Sequence, residues 1–181
     1  MRRGGFVVAV ALLLALAGCV PTSTHPTASP HPSATPVFAS DAEALAAAEK
    51  AYAAYLKVSD QLAQGGWKDV DSLVPYARGA ALSNDLKTAK ELSSKSLRQV
   101  GTTSFDSARL ESLEDHGDGT AVVTVYLCLD VSEVDVLGPS GASVVPSSRQ
   151  SRVPLEVDID NLRSSRFKVS RSDAWSGTDF C

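Results

Sequence analysis

Histidine is scarce in this chain, and its scarcity removes more chemistry than any other feature of the sequence. Of three histidines in 181 residues, His25 and His31 lie in a proline-rich stretch and only His116 lies beyond it. A zinc site draws on several His, Cys or carboxylate ligands, and a serine nucleophile needs an imidazole base. His116 sits in the turn Asp115-His116-Gly117-Asp118-Gly119, where a solvated histidine is the simpler reading than a general base. Asp115, Asp118 and Gly119 lack the further ligands and closing glutamate of a calcium loop. His25 and His31 have no fixed geometry around a metal. There is no Gly-x-Ser-x-Gly elbow and no glycine-rich phosphate loop. No catalytic residue, metal ligand or cofactor is assigned. Positive charge is also short, at 17 Lys and Arg against 21 Asp and Glu, which argues against nucleic acid as a partner.

Long apolar runs are missing too. The longest, Phe6 to Ala17, has twelve residues, roughly 18 Å of helix against a hydrocarbon core of about 30 Å. Behind the positive Met1-Arg2-Arg3 it reads as the central region of a signal peptide. Leu16-Ala17-Gly18-Cys19 then resembles the lipobox of bacterial lipoproteins. The resemblance implies a signal peptide over 1–18, cleavage between Gly18 and Cys19, and a lipid anchor on Cys19. Two acyl chains suffice for stable anchoring where one is marginal. From 19 to 39 follow Pro21, Pro26, Pro30, Pro32 and Pro36 among Ser, Thr and Ala. This composition predicts a disordered, extended spacer able to hold a domain tens of ångströms from the bilayer. The expected location is extracytoplasmic, on the outer face of the cytoplasmic membrane.

Without Arg2 and Arg3, fifteen cations face twenty-one acids, a net charge of −6. Residues 40–181 suit one domain with one core. With Cys19 lipidated, Cys128 and Cys181 remain, and two cysteines in an exported protein most often pair. A reactive thiol pair would need an activating neighbour, and none is evident.

Ser40-Asp41-Ala42-Glu43 reads as a capping box opening a long helix. Leu45, Ala48, Tyr52, Tyr55, Leu56 and Leu62 form its inner stripe, with Glu49, Lys50, Lys57 and Asp60 elsewhere, and Gly65-Gly66 stops it. A short helix is expected around Trp67, Val70 and Leu73. A third, from 77 to 96, should turn Leu82, Leu86, Ala89 and Leu92 inward. Strands are expected over 102–114 and 121–131, joined through Gly117-Asp118-Gly119, with the second central in the sheet. In the last hairpin, Asp160 opposite Arg166 and Asp158 opposite Lys168 would place Ile159 against Phe167 and Val157 against Val169. That register makes the acidic row Glu156, Asp158 and Asp160 a salt-bridged outer face.

Helices followed by an antiparallel curled sheet indicate an α+β domain. This order resembles the cystatin-like, nuclear transport factor-like cone. Together with Tyr126-Leu127-Cys128-Leu129-Asp130 and Trp175-Ser176-Gly177-Thr178-Asp179-Phe180-Cys181, the layout also resembles a group of uncharacterised actinobacterial lipoproteins. Folds of this type take apolar ligands at the mouth of the cone. Tyr52, Tyr55, Trp67, Tyr76, Phe105, Tyr126 and Trp175 are the candidates for such a lining, with core packing as the plainer alternative. The expected role is a non-catalytic binding or protein-interaction module of the cell envelope, its partner an envelope protein or a small apolar ligand. A small cavity-based enzyme and an accessory scaffold of a secretion or cell-wall assembly are the alternatives.

Overall fold

The computed structural model describes residues 35–162 and 166–181. The expected signal peptide, Gly18, Cys19 and most of the spacer lie outside the described residues. No helix among the described residues is long and apolar enough to cross a membrane.

Ser40 caps helix α1, Asp41–Gln64. Its Oγ accepts the Glu43 N–H at 3.2 Å, while the Glu43 carboxylate accepts the Ala39 N–H at 2.8 Å. The reciprocal bond thus reaches one residue further back than in the usual capping box. Ala44, Ala48, Tyr52, Tyr55, Leu56 and Leu62 are buried, close to the stripe expected, with Leu45 half-buried beside them. Asp60 departs from that expectation, being only 7% exposed. Its carboxylate accepts bonds from Gln99 Nε2 at 2.6 Å, Thr103 Oγ1 at 2.7 Å and the Thr103 N–H at 2.8 Å. Three donors offset the cost of burying the charge and clasp the end of α1 to the following strands. Gly65 ends the helix, and Gly66 follows with φ of 74°.

The short helix expected around Trp67 is one 3₁₀ turn, Val70–Leu73, and Trp67 lies outside it with φ of 66°. Only Leu73 of that turn is buried. Helix α2 spans Gly79–Ser94 and packs chiefly on the last strand of the sheet. Its inner face differs from the leucine stripe expected. Ala81 and Ala89 are buried, Leu82 and Leu92 are half-buried, and Leu86 is 39% exposed. Small residues at 81 and 89, one row along the helix, let α2 lie close and turn the larger Leu86 outward.

The strands are β1 (Arg98–Val100), β2 (Ser104–Asp115), β3 (Ala121–Asp130), β4 (Asp135–Leu137), β5 (Arg152–Asp160) and β6 (Lys168–Ala174). One antiparallel sheet has the order β2-β3-β5-β6, and β1 pairs with β4 in a separate ribbon. β3 is central, as its two apolar faces require. The edge strand β2 is interrupted by bulges between Asp106 and Arg109 and between Leu110 and Ser112, with Ser107 at φ of 55°. Bulges and charges on an edge deter pairing with another chain and curl the sheet. The opposite edge, β6, is partly covered by Ala77, which bridges Val169. Odd-numbered residues of β3 and β5, such as Val123, Leu127, Val157 and Ile159, face the helices. The domain is thus α+β, helices on a curled antiparallel sheet.

The expected register of the last hairpin does not form. Asp160 pairs with Lys168 and Ile159 with Val169. A bulge then sets Asp158 opposite Arg171 and Val157 opposite Ser172. The shortest loop that satisfied the charge pattern was too short. Asn161 leaves the strand to cap the sheet, its side chain accepting from the Ala121 N–H at 2.8 Å and donating to the Gly119 carbonyl at 3.0 Å. Phe167 is withdrawn from pairing and packs on Phe38 at 5.1 Å between ring centres. Phe38 is buried and the Val37 N–H binds Asp115 at 2.6 Å, so folded packing extends back to these residues.

Candidate functional site

The aromatic candidates separate into distinct places. Tyr52, 1% exposed, meets Phe105 edge-on at 5.1 Å and Tyr55 at 5.8 Å. Tyr52 and Tyr55 are buried in the core, while the half-buried Phe105 borders an opening. Trp67 packs against the same core from beyond the end of α1, and its buried indole N–H has no acceptor among the described residues. Tyr126 points to the opposite side of the sheet, and Tyr76 stands at the surface near Arg166. Among the described residues these aromatics share no single lining: Phe105, Tyr76 and the pair Tyr126 and Trp175 border separate openings. Aromatic side chains that fit a ligand wall fit a core equally well, and here most are spent on packing.

Polar chemistry inside the helical layer centres on Tyr55 and Asp85. The Tyr55 hydroxyl donates to the Asp85 carboxylate, at 2.9 and 3.1 Å to its two oxygens. Burial pushes the Asp85 carboxyl up to about 6, against a lesser lowering by the Tyr55 bond. Burial likewise raises the hydroxyls of Tyr52 and Tyr55 well above the usual phenol range. The pair sits between α1 and α2. A smaller cavity of about 350 Å³ lies nearby, against Asp60, Thr103 and Phe105, but Asp60 is already saturated by the three donors described above.

The His116 turn behaves as turn chemistry requires. Asp115 accepts the Gly117 N–H, Asp118 accepts the N–H and hydroxyl of Thr120, and the His116 N–H binds the Thr120 carbonyl. Among the described residues no group of three or more His, Cys, Asp or Glu side chains is placed to hold a metal ion.

The acidic row of β5 is an ion-paired face, though with partners other than those expected. Arg171 binds Asp158 at 2.7 Å and Glu156 at 2.6 Å, Arg78 binds Asp160, and Lys168 donates to the Val74 carbonyl. On the same side of the sheet, Cys128 and Cys181 form a disulfide that fastens the chain end. Trp175 and Phe180 flank Tyr126 at 4.8 and 6.0 Å, and the Arg109 guanidinium lies 4.4 Å from the Phe180 ring centre. The tail thus covers this face as a small second layer.

The largest opening described is a groove of about 610 Å³ along α1, lined by Ala47, Lys50, Ala51, Ala54, Tyr76, Arg166 and Phe167. Its floor is apolar. Its two cations have no carboxylate partner among the described residues, and the Arg166 guanidinium lies 5.6 Å from the Tyr76 ring centre. A signal for this site exists in the sequence. Ala47, Ala51 and Ala54, with Lys50, recur at helical spacing beside the core stripe. Alanine, however, marks a solvated helix face as readily as a groove. The partners across it come from residues more than twenty positions away.

No protein-family model matches the chain, and no curated protein sequence matches it significantly. Several solved structures resemble it, two of them as follows. The intermembrane space region of the chloroplast protein ARC6 superposes with a TM-score of 0.51 at 14% identity, over 74% of this chain and 97% of that one. A periplasmic fragment of TraM gives a TM-score of 0.47 at 15% identity, over 76% and 98%. The likeness is one of fold. The ARC6 region supports the α+β arrangement of helices on a curled antiparallel sheet.

Proposed function

We propose that the chain is an extracytoplasmic lipoprotein, anchored through Cys19 to the outer face of the cytoplasmic membrane. In this reading its folded domain is a non-catalytic binding module of the cell envelope. One observation carries the binding role. Tyr52, Leu127 and Val157 fill the core under the helices, and the largest described opening lies at the surface, the groove along α1. The disulfide Cys128–Cys181 supports an oxidising compartment. The lipobox-like Leu16 to Cys19 supports a lipid tether. The ARC6 region is an intermembrane space piece by description, which accords with a location outside the cytoplasm.

A second reading, a small enzyme of the envelope, is favoured by one feature, the half-buried Tyr55–Asp85 pair with its raised carboxyl. Against it, neither residue lines a described cavity of substrate size.

The test is made in bacterial cells expressing the full chain. A clickable palmitate analogue should label the wild type and not Cys19→Ala, and external protease should degrade the domain in spheroplasts. Label on the Ala variant, or a protected domain, overturns the anchoring. Turnover of an envelope substrate that Asp85→Asn abolishes replaces the binding role with the enzymatic one.

A further inference from the structure

We infer that the groove along α1 binds a single-chain anionic amphiphile, its acyl chain on the alanine and aromatic floor and its carboxylate held by Lys50 and Arg166. The inference rests on the binding-module reading and names its ligand class. Size comes first. About 610 Å³ falls within the ~300–1,000 Å³ of small-molecule sites.

Charge then chooses among small ligands. The domain is acidic, and three of its arginines are ion-paired: Arg78 with Asp160, Arg152 with Asp106 and Asp130, Arg171 with Asp158 and Glu156. Lys50 and Arg166 have no such carboxylate among the described residues, yet both line the same apolar groove. An apolar floor with two unneutralised cations complements a ligand that is apolar along its length and anionic at one end. The Arg166 guanidinium lies 5.6 Å from the Tyr76 ring centre. Its planar N–H fork suits a carboxylate. Phe167, Ala51 and Ala54 provide carbon surface and no hydrogen-bonding side chain, which disfavours a sugar or a nucleotide.

The experiment uses the full chain released from a neutral detergent in native mass spectrometry, with decanoate, 1-decanol and decyltrimethylammonium as probes. Decanoate should bind one to one, at least about tenfold tighter than decanol, as a charge-assisted bond contributes. In the Lys50→Glu, Arg166→Glu double variant the order should reverse in favour of the cation. Ala51→Trp, which fills the floor, should block all three while leaving the melting temperature near that of the wild type. Equal binding of the three probes, or a decanoate preference that survives charge reversal, overturns the assignment. Failure of every probe to bind overturns it as well. The anchored, non-catalytic reading would still stand in that case, since labelling and turnover measure it separately.

Discussion

Replacing Cys128 and Cys181 together by alanine should destabilise the domain by about 4 kcal/mol. The magnitude follows from the 53 residues that separate the bonded cysteines. In the chain-entropy description such a loop removes about 14 cal/mol/K from the unfolded ensemble, or about 4 kcal/mol at 25 °C. Cys128 is also fully buried, so truncation adds a packing loss that reduction of the wild type does not. Comparing the reduced wild type with the double variant separates the two. Urea titration followed by tryptophan fluorescence suits the measurement, since Trp175 lies 4.8 Å from Tyr126 beside the bonded tail. The reduced chain should unfold at a lower midpoint and with a steeper slope, because an unlinked unfolded chain exposes more surface. A loss below about 1 kcal/mol with an unchanged slope would refute the reasoning. It would mean that residues 175–181 open locally and that the bond constrains the tail alone.

Gly101→Ala should cost more than about 3 kcal/mol by thermal or chemical melting, since Gly101 has φ of 77° and an added Cβ would overlap the Glu133 carbonyl. A loss under about 1 kcal/mol would show that the β1–β4 ribbon adjusts freely. A double-mutant cycle between Asp158 and Arg171 should give a coupling of about 1 kcal/mol, and one between Asp160 and Arg166 none. The reverse result would restore the hairpin register that the charge pattern alone prefers. Asp85 provides a pH dependence. Its carboxyl titrates higher in the folded state, so the stability carried by the protonated form is complete below about pH 4 and is lost as the pH rises through about 6. With solvent screening of a partly exposed group, the change is about 1 kcal/mol. Asp85→Asn should flatten that slope and exceed the wild type in stability at pH 7. Parallel pH profiles for the two proteins would remove Asp85 as the cause.

Local signals in the sequence were read correctly where the physics is local. The Ser40–Glu43 cap, the Gly65-Gly66 stop and the turn at Gly117-Asp118-Gly119 each depend on a few adjacent residues. β3 was recognisable as central because a strand with carbon on both faces must be covered on both. The Cys128–Cys181 bond agrees with the expectation that two cysteines of an exported chain pair. Errors arose where distant chain segments compete. Asp60 looked like a solvent-facing acid until Gln99 and Thr103, about forty residues away, arrived as donors. Leu86 lost its inner place to Ala81 and Ala89, because closeness of approach between α2 and β6 outweighed the size of the leucine.

The acidic row of β5 illustrates the division most sharply. The sequence by itself determined that Glu156, Asp158 and Asp160 would share a face opposite cations, since strand periodicity fixes side-chain direction within one segment. Only the tertiary structure decided which cations these are. Asn161 had to cap the sheet and Phe167 had to reach Phe38, so β6 slid past the shortest register. The groove belongs to the same class. Its alanine floor is written in one helix, but its concavity and its second cation exist only once Tyr76, Arg166 and Phe167 are folded against α1. Periodicity is a property of a few neighbouring residues, whereas registry and cavities depend on contacts across the whole chain.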